Sequence, residues 1–162
     1  MTLVNKIFIL LLLLTVNCSA QTSESKSIVG VWQADSHLES SAWPDTYQFF
    51  ADGRFVFNFS QYDGAKRILR ILGTYTFKER KIKLFVATTV EAVGGHLTRS
   101  TITSLSDSWE LVDYTIATFK QDPDEPEEIS IKECKGGDNP KPCALFDSRT
   151  YFRMDSDPLK YN

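Results

Sequence analysis

Histidine, methionine and cysteine are scarce here, with two, two and three residues in a chain of 162. His37 and His96 stand in no metal-ligand spacing such as His-x-x-x-His, so both read as surface residues and no metal site is expected. The cysteines form no Cys-x-x-Cys, which removes the redox and zinc-ribbon readings. No Gly-x-Ser-x-Gly elbow places a nucleophile, so no catalytic residue is assigned and no cofactor is implied. A basic excess is also lacking. Lys plus Arg number 18 against 21 Asp plus Glu, a net charge of −3, which leaves nothing to neutralise a nucleic-acid backbone. Helical periodicity never outlasts a turn or two. What the chain does have is 42% hydrophobic residues, enough to fold, in a length that suits one domain.

The one long apolar run is at the start. Residues 7–16 (IFILLLLLTV) follow Lys6, the only charge in the first twenty residues. A membrane-spanning helix needs about 20 such residues, so this run is too short to cross. A basic start, an apolar centre and small residues behind it describe a secretory signal peptide over 1–20. Two readings of its end are open. Cys18-Ser19-Ala20 fits a small-x-small cut that releases Gln21. Thr15-Val16-Asn17-Cys18 instead resembles a bacterial lipobox that would place a lipid on Cys18, although Asn17 departs from the strict pattern. Residues 21–27 are polar and read as a flexible tether. The expected location is the bacterial cell envelope, lipid-anchored, or the periplasm or medium. If Cys18 carries a lipid, Cys134 and Cys143 are left as a natural pair. An oxidising compartment and a turn-rich spacer favour a disulfide between them.

From Ile28 the pattern is β-strand, repeatedly. Phe55, Phe57 and Phe59 alternate with Arg54, Asn58 and Ser60, the period-two pattern of a half-buried strand. Similar runs cover 28–34, 45–50, 67–77, 81–86, 97–105, 108–119, 128–133 and 148–154. Asp52-Gly53 and Asp63-Gly64 read as hairpin turns, Glu79-Arg80 as a third, and Gly94-Gly95 as a break. Gly73 falls mid-strand, where a strand bends or another backbone comes close. Residues 37–41 read as a short helical turn. The expectation is an all-β domain over 28–155, a single antiparallel up-and-down β-barrel of about eight to ten strands, with a tail over 156–162. Closure is favoured over a sandwich because it leaves no exposed edges.

Gly30-Val31-Trp32 on the first strand resembles the Gly-x-Trp of lipocalins. Phe50 to Phe55, Gly73 to Phe77 and Lys81 to Leu84 are similar to small bacterial lipocalin-like proteins. That resemblance implies a barrel with Trp32 across its closed end and an Arg of the last strand over it, Arg153 or Arg149. It also implies a small apolar ligand in the barrel. The full family's final helix has no room here, because only eight residues follow Met154.

On this reading Phe55, Phe57, Phe59, Tyr75 and Phe77 line a ligand cavity, and Trp32 with Arg153 is structural. The competing reading is a filled barrel whose loops bind another protein. A third, an enzyme, rests only on Arg67, Arg70, Arg99 and His96. The acids Asp122, Asp124, Glu125, Glu127 and Glu128 lack a calcium-loop spacing and read as a solvated loop. Asn58-Phe59-Ser60 fits a glycosylation sequon by chance, given the bacterial-looking signal. The expected function is therefore binding of a small hydrophobic molecule without catalysis. No nucleic acid is involved, and the membrane is touched only through a lipid on Cys18.

Overall fold

The computed structural model describes residues 28–35, 44–60, 63–100, 108–134 and 141–161. The signal segment, Cys18, the tether and the turn expected over 37–41 lie outside these residues. The fold is all-β. Nine strands follow in order: β1 (Gly30–Ala34), β2 (Thr46–Phe49), β3 (Arg54–Asn58), β4 (Ile68–Lys78), β5 (Lys81–Arg99), β6 (Trp109–Lys120), β7 (Glu127–Glu133), β8 (Cys143–Phe146) and β9 (Arg149–Asp155).

All pairings are antiparallel. The sheet runs β4-β3-β2-β1-β9-β8-β7-β5, and β5 pairs again with β4, so eight strands close into a barrel. β6 is the extra strand. It pairs with β5 from Thr88 to Arg99, while β7 takes the same edge of β5 from Lys81 to Leu84. Together β6 and β7 form one line of chain interrupted by the acidic loop at 121–126, so the barrel is an up-and-down meander. The strands define two ends. The lower end holds the start of β1, the turns at 50–53 and 79–80, the end of β7 and the start of β8. The upper end holds the starts of β2, β4 and β6 and the β8–β9 turn.

Local chemistry accounts for these elements. The β4–β5 hairpin closes through Glu79 (φ 53°) and Arg80 (φ 58°), the left-handed pair that a two-residue turn demands. At Gly73 a Cβ would lie 1.9 Å from the Phe85 carbonyl oxygen and 2.9 Å from Phe55 Cε1. The expected close backbone approach is therefore there. Beside it β5 bulges at Ala87, since Gly73 faces Val86 and Leu72 faces Thr88. Gly30 (φ 137°) sits where a Cβ would meet the Asp155 carbonyl oxygen at 2.4 Å, so only glycine lets β9 come close enough to shut the barrel there.

The interior is packed with rings. Phe49, Phe55 and Ile82 are fully buried, with Trp32, Tyr47, Tyr75, Leu84, Ile129, Phe146 and Tyr151 around them. Rings meet across the barrel. Tyr47 of β2 lies 5.6 Å from Phe146 of β8, and Phe49 of β2 lies 6.2 Å from the same ring. Cys134 and Cys143 form a disulfide with Cα atoms 5.7 Å apart, tying β7 to β8 at the lower end. Past β9, a 3-10 turn (Pro158–Lys160) docks on the outside of the barrel, where the Pro158 carbonyl accepts from Gln48 Nε2 at 2.8 Å.

Three local expectations are corrected. Gly94-Gly95 does not break the chain. β5 continues through it, and the Leu97–Arg99 segment expected to open a new strand belongs to the same one. The glycines (φ 74° and 68°), with Asp113 (φ 57°) opposite Gly95, bend a continuous ladder instead of ending it. Asp63-Gly64 is not a tight hairpin turn. It lies in a longer loop, where the Asp63 carboxylate accepts from Ala65 N–H and the Gly64 carbonyl accepts from Leu111 N–H. β8 was not anticipated, because four residues between a disulfide and a turn carry too little alternation to read.

Candidate functional site

The lower end is closed. Trp32 Nε1 donates to the Ile28 carbonyl at 2.8 Å, and its ring lies 5.5 Å from Phe146. Arg153 faces Trp32 across the β1–β9 pair, with its guanidinium carbon 5.9 Å from the indole centroid. It also donates to the Val29 carbonyl. Its Nε is buried and has no hydrogen-bond partner among the described residues. The ion–π contact and the Val29 bond are what hold that charge there. Arg149, the other candidate for this role, sits at the opposite end.

The aromatic residues expected to line a cavity divide between two environments. Phe55 is 1% exposed and packs in the closed core. Tyr75 is also buried there, with its hydroxyl donating to the Phe50 carbonyl at 3.0 Å. Burial and the nearby Asp52 push that phenol up to about 12. Phe77 is half-buried against the core. Phe57 and Phe59 stand higher and are half-buried, with their rings 4.7 Å apart. Lys66 Nζ lies 4.7 Å from the Phe59 ring.

Above the rings the interior turns polar. Strand alternation puts Asp45 on the face of Tyr47, Glu127 on the face of Ile129, and Arg149 on the face of Tyr151. Arg149 pairs with Asp45 and lies 5.7 Å from the Tyr151 ring. The Tyr47 ring is 4.3 Å from Phe57 and 5.5 Å from Tyr151. Tyr47 is 9% exposed. Burial holds this phenol far above its ordinary value. Tyr151 and the carboxylates of Glu127, Asp45 and Asp147 add to the effect. Burial likewise pushes Tyr151 up to about 12, against the pull of Arg149. On the β5 wall, buried Thr89 donates to Glu91 at 2.6 Å and accepts from Gln121 at 3.1 Å. The result is a floor of Tyr47, Phe57 and Tyr151 under a rim of hydrogen-bonding and charged groups. Such a floor and rim can hold an apolar body and orient one polar group.

The residues that hinted at catalysis do not converge. Arg70 Nε donates to Asn58 Oδ1 at 2.7 Å on the outer face. Arg67 caps the Gly94 carbonyl at 2.7 Å. Arg99 lies 4.5 Å from the Trp109 ring, and exposed His96 lies 3.7 Å from Asp113, both along the β5–β6 pair. Of the acidic loop, Glu127 and Glu128 begin β7, and Glu128 pairs with Lys81 at 2.5 Å. Sequence reading missed the upper-end set of Tyr47, Asp45, Arg149, Tyr151, Thr89 and Glu91. A signal existed, since Asp45-x-Tyr47 and Arg149-x-Tyr151 each put a charge one alternation beyond a core ring. Comparison with known protein families, characterised proteins and solved structures finds no match for this chain.

Proposed function

We propose that the chain is an exported, non-enzymatic binding protein that holds a small, largely apolar molecule at the upper end of its barrel. The observation that carries this is the aromatic floor at the upper end, where Tyr47 meets Phe57 and Tyr151 beside the Asp45–Arg149 pair. An apolar guest on these rings gains by the surface it buries, and the Tyr47 hydroxyl can donate to an acceptor on it. The lipocalin-like pattern of Gly30, Trp32 and Arg153 supports the same reading, as does the envelope location that the signal suggests. A lipid on Cys18 would tether the protein there. An intact mass that starts at an unmodified Gln21 would exclude the lipid.

A neutral solvatochromic dye such as Nile red tests the binding reading. It should bind the parent saturably, and less tightly after Phe57→Ala. For guests with a carbonyl, Tyr47→Phe should weaken binding roughly tenfold, the effect of one lost hydrogen bond. No saturable binding by the folded parent sinks the reading. The cross-barrel contacts of Tyr47 and Phe49 with Phe146 favour a second one. In it the barrel is a filled scaffold, and its upper loops and strands bind another protein.

A further inference from the structure

β5 and β6 run on past β4 as a two-stranded ribbon. Six large apolar side chains along the β5–β6 pair are exposed: Val93, Leu97, Trp109, Tyr114, Ile116 and Phe119, with Ile116 at 65%. The outer edge of β6 has no strand partner among the described residues. Its backbone phase follows from two hydrogen bonds. Gln121 N–H donates inward to the Ala87 carbonyl at 2.9 Å, so Phe119, Ala117 and Thr115 also bond inward to β5. Ala92, opposite Ile116, donates away from β6 to the Arg67 carbonyl at 2.7 Å, in the same phase. Tyr114, Ile116, Thr118 and Lys120 therefore point their N–H and C=O groups outward, with no described partner.

The edge is not uniform. Near Leu111 it is covered, because that N–H donates to the Gly64 carbonyl at 2.8 Å. At Asp113 it bends. Tyr114–Lys120 is the straight, uncovered part, with no proline and no bulge. An apolar edge of this kind is a template for another strand.

We propose that the other strand is the same stretch of a second copy of this chain, antiparallel about a two-fold axis through Ala117. Outward groups must meet outward groups, so symmetric registers step by two residues. The register centred on Ala117 is the one that uses the whole straight stretch. In it Tyr114 exchanges both backbone bonds with Lys120 of the second copy, and Ile116 with Thr118. Charge agrees with this direction. In this register Lys120 stands opposite Tyr114 and Asp113 opposite Gln121 of the other copy, so no like charges face one another. The pair would also cover Ile116 and Tyr114, and it would join two barrels through one continuous sheet.

Sedimentation velocity over a concentration series should show a reversible monomer–dimer equilibrium. Thr118→Pro removes an N–H that the fold does not use, and should yield a monomer with an unchanged melting curve. A chain carrying Cys18→Ser and Ala117→Cys should form a covalent dimer under mild oxidation, because directly opposed strand residues lie within disulfide reach. Thr115→Cys in the same background should not, since Thr115 faces Phe119. A monomer up to high micromolar concentration overturns the proposal. So does a dimer that survives Thr118→Pro, or a cross-link at Thr115 in place of Ala117.

Discussion

Two residues at the lower end show how closely position constrains chemistry. Trp32 fills the barrel floor, bonded to the Ile28 carbonyl and flanked by Phe146 and Arg153. Trp32→Ala should cost about 3–5 kcal/mol, read as a lower denaturant midpoint. An unmoved midpoint would show that the indole does not hold the floor. Gly30→Ala should destabilise as well, because its Cβ has no space beside the Asp155 carbonyl and its φ disfavours a side chain. The buried phenols set the alkaline limit. Tyr75 and Tyr151 titrate at about 12 in the fold, above their ordinary value of 10, so the folded chain keeps protons that the unfolded chain would release. This contribution is intact below pH 10 and is lost as pH rises from about 10 to about 12. Phenolate absorbance and unfolding should therefore rise together in that window. Titration of these tyrosines with the fold intact would contradict it.

At the scale of elements, turns and covalent ties are the accessible levers. Glu79 and Arg80 both hold left-handed backbone at the β4–β5 turn. Replacing them by Asn and Gly should raise stability by about 1 kcal/mol. The exposed Arg80–Glu133 pair lost in the process contributes little. Replacing Cys134 and Cys143 by Ser should cost roughly 2.5–3 kcal/mol through the freed β7–β8 loop, measured by thermal unfolding with and without reductant. Period-two alternation made β2, β3 and β4 legible, because one face of each is core and the other is solvent. It failed where that contrast fades. β5 alternates buried and exposed residues only as far as the bulge at Ala87. From Val93 to Leu97 every residue is exposed, so the two glycines looked like an end. The aromatic triplet Phe55, Phe57 and Phe59 was readable as one face. Its division between core and upper end was not, since depth along a barrel is set by the stagger of neighbouring strands, not by their sequence.

At the scale of the whole molecule, closure rests on one seam. β1 meets β9 through four facing pairs, from Val31 with Asp155 to Ala34 with Tyr151. Arg153 reaches across 124 positions of sequence to the Val29 carbonyl. The other neighbouring walls are joined by far shorter connections. That asymmetry governs the order in which the fold can be completed. A chain made from its amino end can form the β2–β3–β4–β5 meander early, from local pairings. The floor residue Trp32 must then wait, without its ion partner, for nearly the last strand to be synthesised. Until β9 arrives, β1 is an open edge beside an uncovered row of rings, the arrangement most prone to wrong pairing. Chains truncated before Arg149 should therefore stay protease-sensitive and show no cooperative unfolding. Supplying the 149–162 segment as a separate peptide should restore both properties. Assembly of this barrel is thus timed by its carboxyl end, and the length of time β1 stays unpaired sets its exposure to chaperones and proteases.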